Sequence, residues 1–224
     1  MTNKSMKVRV WDLPTRLFHW ALAILVIAAI VTVKIGGNAM QWHFYCGYAV
    51  LCLLAFRLLW GILGTRFALF SSFIFAPSTI VKHVGEMKNG RAQRYLGHTP
   101  IGSLSVLAIL AVVLLQAGSG LFSNDDIASE GPLVKFISKE TSDRFSWFHS
   151  DVNAWLIYGL IGLHIAAVAF YYFKKKEDLV TPMLTGDKDW HEAVTDVRDS
   201  WGKRVLALML LGICAAGVYY LVNA

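Results

Sequence analysis

Four histidines are placed where an imidazole could hold a metal: His19, His43, His149 and His164. Two of them bracket one apolar run, with His149 at its start and His164 fifteen residues later. In an unbroken α-helix that separation is about 22 Å of rise and about 60° of rotation, so both rings share a face. A helix with a ligand near each membrane surface suggests two metal centres at two depths. The remaining spans must then supply the partners.

The chain has 224 residues, 56% of them hydrophobic, and a mean hydropathy of +0.51. That is too apolar for a soluble domain of this length. Five apolar segments, near 17–33, 43–63, 101–122, 148–173 and 205–222, each approach the roughly 20 residues that cross a bilayer. In lipid, backbone groups must pair within the segment, so these segments are predicted helices. The first is not a cleaved signal peptide: sixteen residues precede it and no small-residue cleavage site follows. Sixteen Lys and Arg residues fall on the side of the N-terminal segment, the 64–100 loop and the 174–204 stretch; the other side has Lys34, Lys135, Lys139 and Arg144. The positive-inside rule therefore predicts a cytoplasmic N-terminus and an outer C-terminus. Topology accounts for the net charge of +6 better than nucleic-acid binding does. Cys46, Cys52 and Cys214 read as membrane thiols, and the absence of Cys-x-x-Cys-His excludes covalent c-type haem attachment.

Depth sorts the histidines. The first helix begins inside, so His19 is inner. The second begins outside, so His43 is outer. The fourth runs inward, making His149 outer and His164 inner. The result is two level pairs, His43 with His149 and His19 with His164. Two axial imidazoles from facing helices suit haem iron, and they leave no open coordination position. Zinc prefers four ligands, and no carboxylate or thiolate clearly accompanies either pair. For one histidine alone, a polar side chain bonded across helices is the competing reading. Gly47, one turn past His43, lets a flat cofactor approach the backbone or lets helices pack closely. Arg57 lies deeper in the same helix near the inner level, where a guanidinium could hold a propionate with two parallel hydrogen bonds. Arg16, one turn before His19, is a second propionate candidate; simple interfacial anchoring is its alternative.

Other stretches read as support. Asp12 and Pro14 fit a helix start. Residues 78–87 suggest a short interfacial helix with Ile80, Val81, Val84 and Met87 toward lipid and His83 at the surface. Asp125, Asp126, Glu130, Glu140 and Asp143 give the outer loop an acidic excess; it reads as solvated, with docking of a basic partner as the alternative. Residues 177–204 read as a polar connection with a short helix including Trp190, His191 and Trp201. The fifth span has no ionisable interior residue and reads as a packing or partner-contact element.

Val-Trp-Asp-Leu-Pro-Thr-Arg-Leu-Phe-His19-Trp, Trp-His43-x-x-x-Gly-Tyr, Phe-Arg57-Leu-Leu-Trp-Gly, Gly-His98-Thr-Pro and the paired histidines of the fourth span resemble the bacterial cytochrome b-561 family. That family includes the cytochrome b subunits of nickel–iron hydrogenases. The resemblance covers about residues 8–185. It implies an all-α fold, a transmembrane four-helix bundle binding two b haems; the fifth C-terminal transmembrane helix, read from hydropathy, lies outside that shared core. The corresponding division is 1–176 for the dihaem domain and 177–224 for the connection and last span. It implies His19, His43, His149 and His164 as haem ligands. It also implies electron transfer, in the bacterial inner membrane, between the quinone pool and a periplasmic redox partner such as a c-type cytochrome. Asn124-Asp-Asp-Ile-Ala and Glu-Gly-Pro132-Leu resemble a subgroup found beside small c-type cytochromes. Membrane lipid is the other partner, and a homo-oligomer stays open. The alternatives are a superoxide or quinone oxidoreductase of the same fold, a histidine-lined metal transporter, and a structural anchor.

Overall fold

The computed structural model describes residues 6–91, 93–127, 129–191 and 199–224. A short strand β1 (Met6–Arg9) precedes the long helices α1 (Leu13–Ile35) and α2 (Met40–Leu63). The amphipathic α3 (Pro77–Lys88) and the apolar α4 (Pro100–Gly120) follow. Next come α5 (Lys139–Trp147), a π-helical turn (Phe148–Asn153) and α6 (Ala154–Phe173). The chain ends with α7 (Val180–Thr185), β2 (Asp187–Trp190) and α8 (Trp201–Val222). Five helical segments are long and apolar enough to cross a membrane: Leu13–Ile35, Gly37–Leu63, Pro100–Gly120, Lys139–Phe173 and Trp201–Val222. The second is 39% buried and the others 6–17%. Side chains such as Ile24, Ile62 and Leu208 stay more than 60% exposed, as lipid-facing positions should.

The residues divide into two compact units, each built from three stretches. One, here the strand unit, comprises Met1–Leu17, Leu59–Ala108 and Leu163–Ala207. Within it β1 pairs antiparallel with β2, Met6 opposite Trp190 and Arg9 opposite Asp187. Arg9 pairs with Asp187 and, at 3.6 Å, with Asp199. Asp199 also takes both Arg204 nitrogens, at 3.0 and 3.1 Å, and the Leu13 amide at 3.2 Å. Burial pushes the Asp199 carboxyl up, but these donors outweigh it and hold the group below the usual carboxylate range. The amides of Val10 and Trp11 donate to the Gly186 carbonyl. Gly186 has φ of 93°, and a Cβ there would meet the Trp11 carbonyl at 2.7 Å, so only glycine fits.

Asp12 starts α1 as expected. Its Oδ1 accepts from the Thr15 amide at 2.6 Å. Its Oδ2 accepts from Trp60 Nε1 at 3.2 Å and from the Thr65 hydroxyl. Asp12 is 1% exposed and Trp60 fully buried, so one carboxylate joins the Trp-Asp-Leu-Pro stretch to the end of α2. His98 is wedged between the rings of Trp11 (4.7 Å) and Phe73 (4.5 Å).

Two expectations change here. His83 is not at the surface: it is 2% exposed, edge-on to Tyr95 at 5.3 Å. Val81 is the exposed apolar residue of α3, so the helix turns His83 inward where the hydropathy pattern placed it outward. Trp190 lies on a strand and Trp201 opens α8, because pairing with β1 overrides the local helical pattern. Residues 192–198, the middle of that expected helix, lie outside the described residues.

The other unit, here the cavity unit, comprises Phe18–Leu58, Ile109–Gly162 and Leu208–Ala224. Leu22, Val50, Leu54, Val113, Leu121 and Ile157 form its apolar core. The segment after α4 folds back on α5: Asn124 Nδ2 donates to Ser142 Oγ at 2.6 Å, and Ser142 Oγ donates to the Phe122 carbonyl at 2.7 Å. Ser138 caps α5 through the Thr141 amide. The acids of this loop are largely engaged, Asp126 and Asp143 by Lys139 and Glu140 by Arg144.

Candidate functional site

Within the cavity unit, α2 presents His43 and the π-helical turn presents His149. Their ring centroids are 6.1 Å apart and their planes cross at 86°. Both rings are fixed from behind. His43 Nδ1 bonds the Ala29 carbonyl of α1 at 2.9 Å. His149 Nδ1 bonds the Gln116 carbonyl of α4 at 3.0 Å and lies 3.2 Å from Ser119 Oγ. An imidazole that donates from Nδ1 to a carbonyl presents Nε2 as the ligating atom.

A cavity of about 430 Å³ surrounds the two rings, within the size range of small-molecule and cofactor sites. Its walls are mostly apolar, with Ser123, Asn124, Ser146 and Ser150 supplying hydroxyls and an amide. Lys34 is the lysine on that wall. Gly47 lines the cavity, and a Cβ built there meets nothing within 4 Å. Gly120 is opposite in character: a Cβ there would sit 2.9 Å from His149 Cε1, so the missing side chain makes room for the ring.

These residues fit a haem. Two metal–nitrogen bonds of about 2 Å, plus about 1 Å from each nitrogen to its ring centre, give roughly 6 Å between imidazole centres. The observed 6.1 Å meets that requirement. Among the described residues no group of three or more His, Cys, Asp or Glu side chains gathers as a metal site.

His43 and His149 are thus brought together in one unit. His19, half-buried on α1 with its ring edge-on to Trp20 at 5.0 Å, belongs to the cavity unit. His164, half-buried on α6, belongs to the strand unit. Their pairing rests on the depth argument alone. Arg57 is 3% exposed in the cavity unit. Arg16 donates to the Leu184 carbonyl within the strand unit, which gives it a structural task.

Sequence reasoning missed Gln116, Ser119 and Asn153, and it missed the π-turn. The first signal was present: a glutamine inside an apolar span is costly and needs a partner. The π-turn had no signal, because its wider winding leaves the composition of the helix unchanged. It also alters the rotation between His149 and His164 that an unbroken α-helix would give.

No solved structure matches the chain. A curated relative, a probable Ni/Fe-hydrogenase B-type cytochrome subunit of Cupriavidus necator, is 20% identical over 219 residues, covering 83% of this chain and 88% of that protein. The family model of prokaryotic cytochrome b561 matches residues 10–186. With that match spanning most of its length, the chain belongs to the prokaryotic cytochrome b561 family and is a multi-pass membrane b-type cytochrome of electron transfer.

Proposed function

We propose that this chain moves electrons across the bacterial inner membrane through two bis-histidine b haems, between the quinone pool and a periplasmic redox protein such as a c-type cytochrome. His43 and His149 would hold the outer haem. His19 and His164 would hold the inner one, as the depth ordering of the sequence assigns. When bound, each haem iron supplies a one-electron ferric–ferrous couple.

The opposition of His43 and His149 across the cavity carries the reading. Their Nδ1 anchors hold both rings against rotation, which keeps reorganisation small when the charge changes. With His43 and His149 both holding the iron, that haem would supply electron transfer rather than substrate binding. Lys34 on the cavity wall is suited to the anionic edge of the outer cofactor, and the buried Arg57 to a propionate of the inner one. The sixteen-to-four Lys and Arg asymmetry supports a cytoplasmic N-terminus and a periplasmic C-terminus.

The test is haem stoichiometry with a redox titration of purified protein. About two haems per chain are expected, with two midpoints. A colourless, fully folded preparation would sink the reading. Arg57→Ala should shift the inner midpoint more than the outer, and the reverse order would remove its propionate role.

A further inference from the structure

The π-turn is stapled to α4 by an interlocked set of hydrogen bonds that the ligand assignment does not require. Gln116 addresses His149 twice. Its backbone carbonyl bonds the ring Nδ1 at 3.0 Å, and its side-chain amide donates to the His149 carbonyl at 3.0 Å. Asn153, at the far end of the turn, donates to Gln116 Oε1 at 2.7 Å and to the Val112 carbonyl at 2.9 Å. Asn153 is 0% exposed. A π-turn breaks the regular i→i+4 ladder, and within this one the His149 carbonyl accepts from the Gln116 side chain.

Burying two amides in an apolar span is costly unless every contact has a use. One contact reaches the His149 ring, and the others fix the backbone and the side chain that carry it. From them we propose that Gln116 and Asn153 act as a single pair of positioning residues, setting the orientation and donor strength of the His149 imidazole. The proposal rests on the reading of His149 as a haem ligand. A carbonyl that accepts firmly from Nδ1 gives the imidazole more anionic character, which favours the ferric state. Loosening the clasp should therefore raise the midpoint of that haem and rotate its ligand plane.

Gln116→Leu, Asn153→Leu and the double variant test this in the full-length protein, by redox titration and by the electron paramagnetic resonance of the low-spin ferric centre. Each single variant should raise the midpoint of the His149-dependent haem and move its ferric signal, while the other haem keeps its values. The double variant should shift no further than the larger single one, because the pair acts as a unit. Unchanged midpoints and ferric signals in variants that keep a His149-dependent haem overturn the proposal and leave the ligand reading standing. Haem content insensitive to His149→Ala overturns both. Should the leucine variants fail to accumulate, Gln116→Met keeps the length of the side chain and removes both of its amide contacts. It should give the same upward shift, and no shift would overturn the proposal.

Discussion

Two pairs of histidines, His43 with His149 in the cavity unit and His83 with His98 in the strand unit, are used in opposite ways. In the cavity unit, His43 and His149 are tethered from behind by backbone carbonyls and project into open volume. In the strand unit, His98 is packed between two aromatic rings and His83 is buried edge-on to a third. Polar energy is also spent differently. The strand unit is closed by charge: Asp12 takes three donors, Arg9, Asp199 and Arg204 form one ion network, and Lys188 pairs with Glu177 at 2.8 Å while 8% exposed. The cavity unit is held by neutral amides and hydroxyls around its rings. A histidine tethered from behind and facing a cavity is built to bind; one packed against aromatic rings is built to pack.

The contrast breaks most visibly if haem content ignores it. His43→Ala and His149→Ala should each remove the same haem, about one of two per chain by pyridine haemochrome, whereas His98→Ala should retain both. Loss of haem in His98→Ala with retention in His149→Ala would invert the assignment. Next in size is Asp12→Ala. It strands the Trp60 indole, the Thr65 hydroxyl and the Thr15 amide in a buried place, at a cost of roughly 3 kcal/mol. A markedly lower unfolding midpoint in detergent is expected, with haem spectra of surviving protein unchanged.

Two glycines sharpen the comparison at smaller scale. Gly47→Leu meets no protein atom near its Cβ, so it should lower haem content through the cavity and leave the helix intact. Gly120→Ala pushes directly on the His149 ring, so it should shift that haem's spectrum even where content is normal. Equal silence from both would mean that the cavity is not the haem pocket. The smallest effect concerns pH. Asp199 has its folded carboxyl below the ordinary value of about 3.9, so its stabilisation is complete above that value and is lost as pH falls through the lower folded value. Asp199→Asn should flatten the fall in thermal stability below about pH 4; an unaltered acid profile would show that the ion network does not close the strand unit.

The spans and the Asp12 cap were legible in sequence because each depends on neighbours along the chain. Hydropathy over some twenty residues marks a bilayer crossing, and alternating direction fixes depth without any distance. His83 was misplaced because the amphipathic pattern of α3 shows only that one face is apolar; what covers the other face comes from residues such as Tyr95. The β1–β2 pair was invisible because its strands lie 178 residues apart at the Arg9–Asp187 rung and neither is long enough to carry a pattern.

The sequence by itself therefore determined an all-α membrane protein of this family. Only the tertiary structure decided that His43 and His149 stand 6.1 Å apart, which atoms hold them, and that a π-turn aims one of them. The physical reason is that insertion is governed by the average polarity of a segment, whereas ring placement is governed by single hydrogen bonds between helices that composition does not encode.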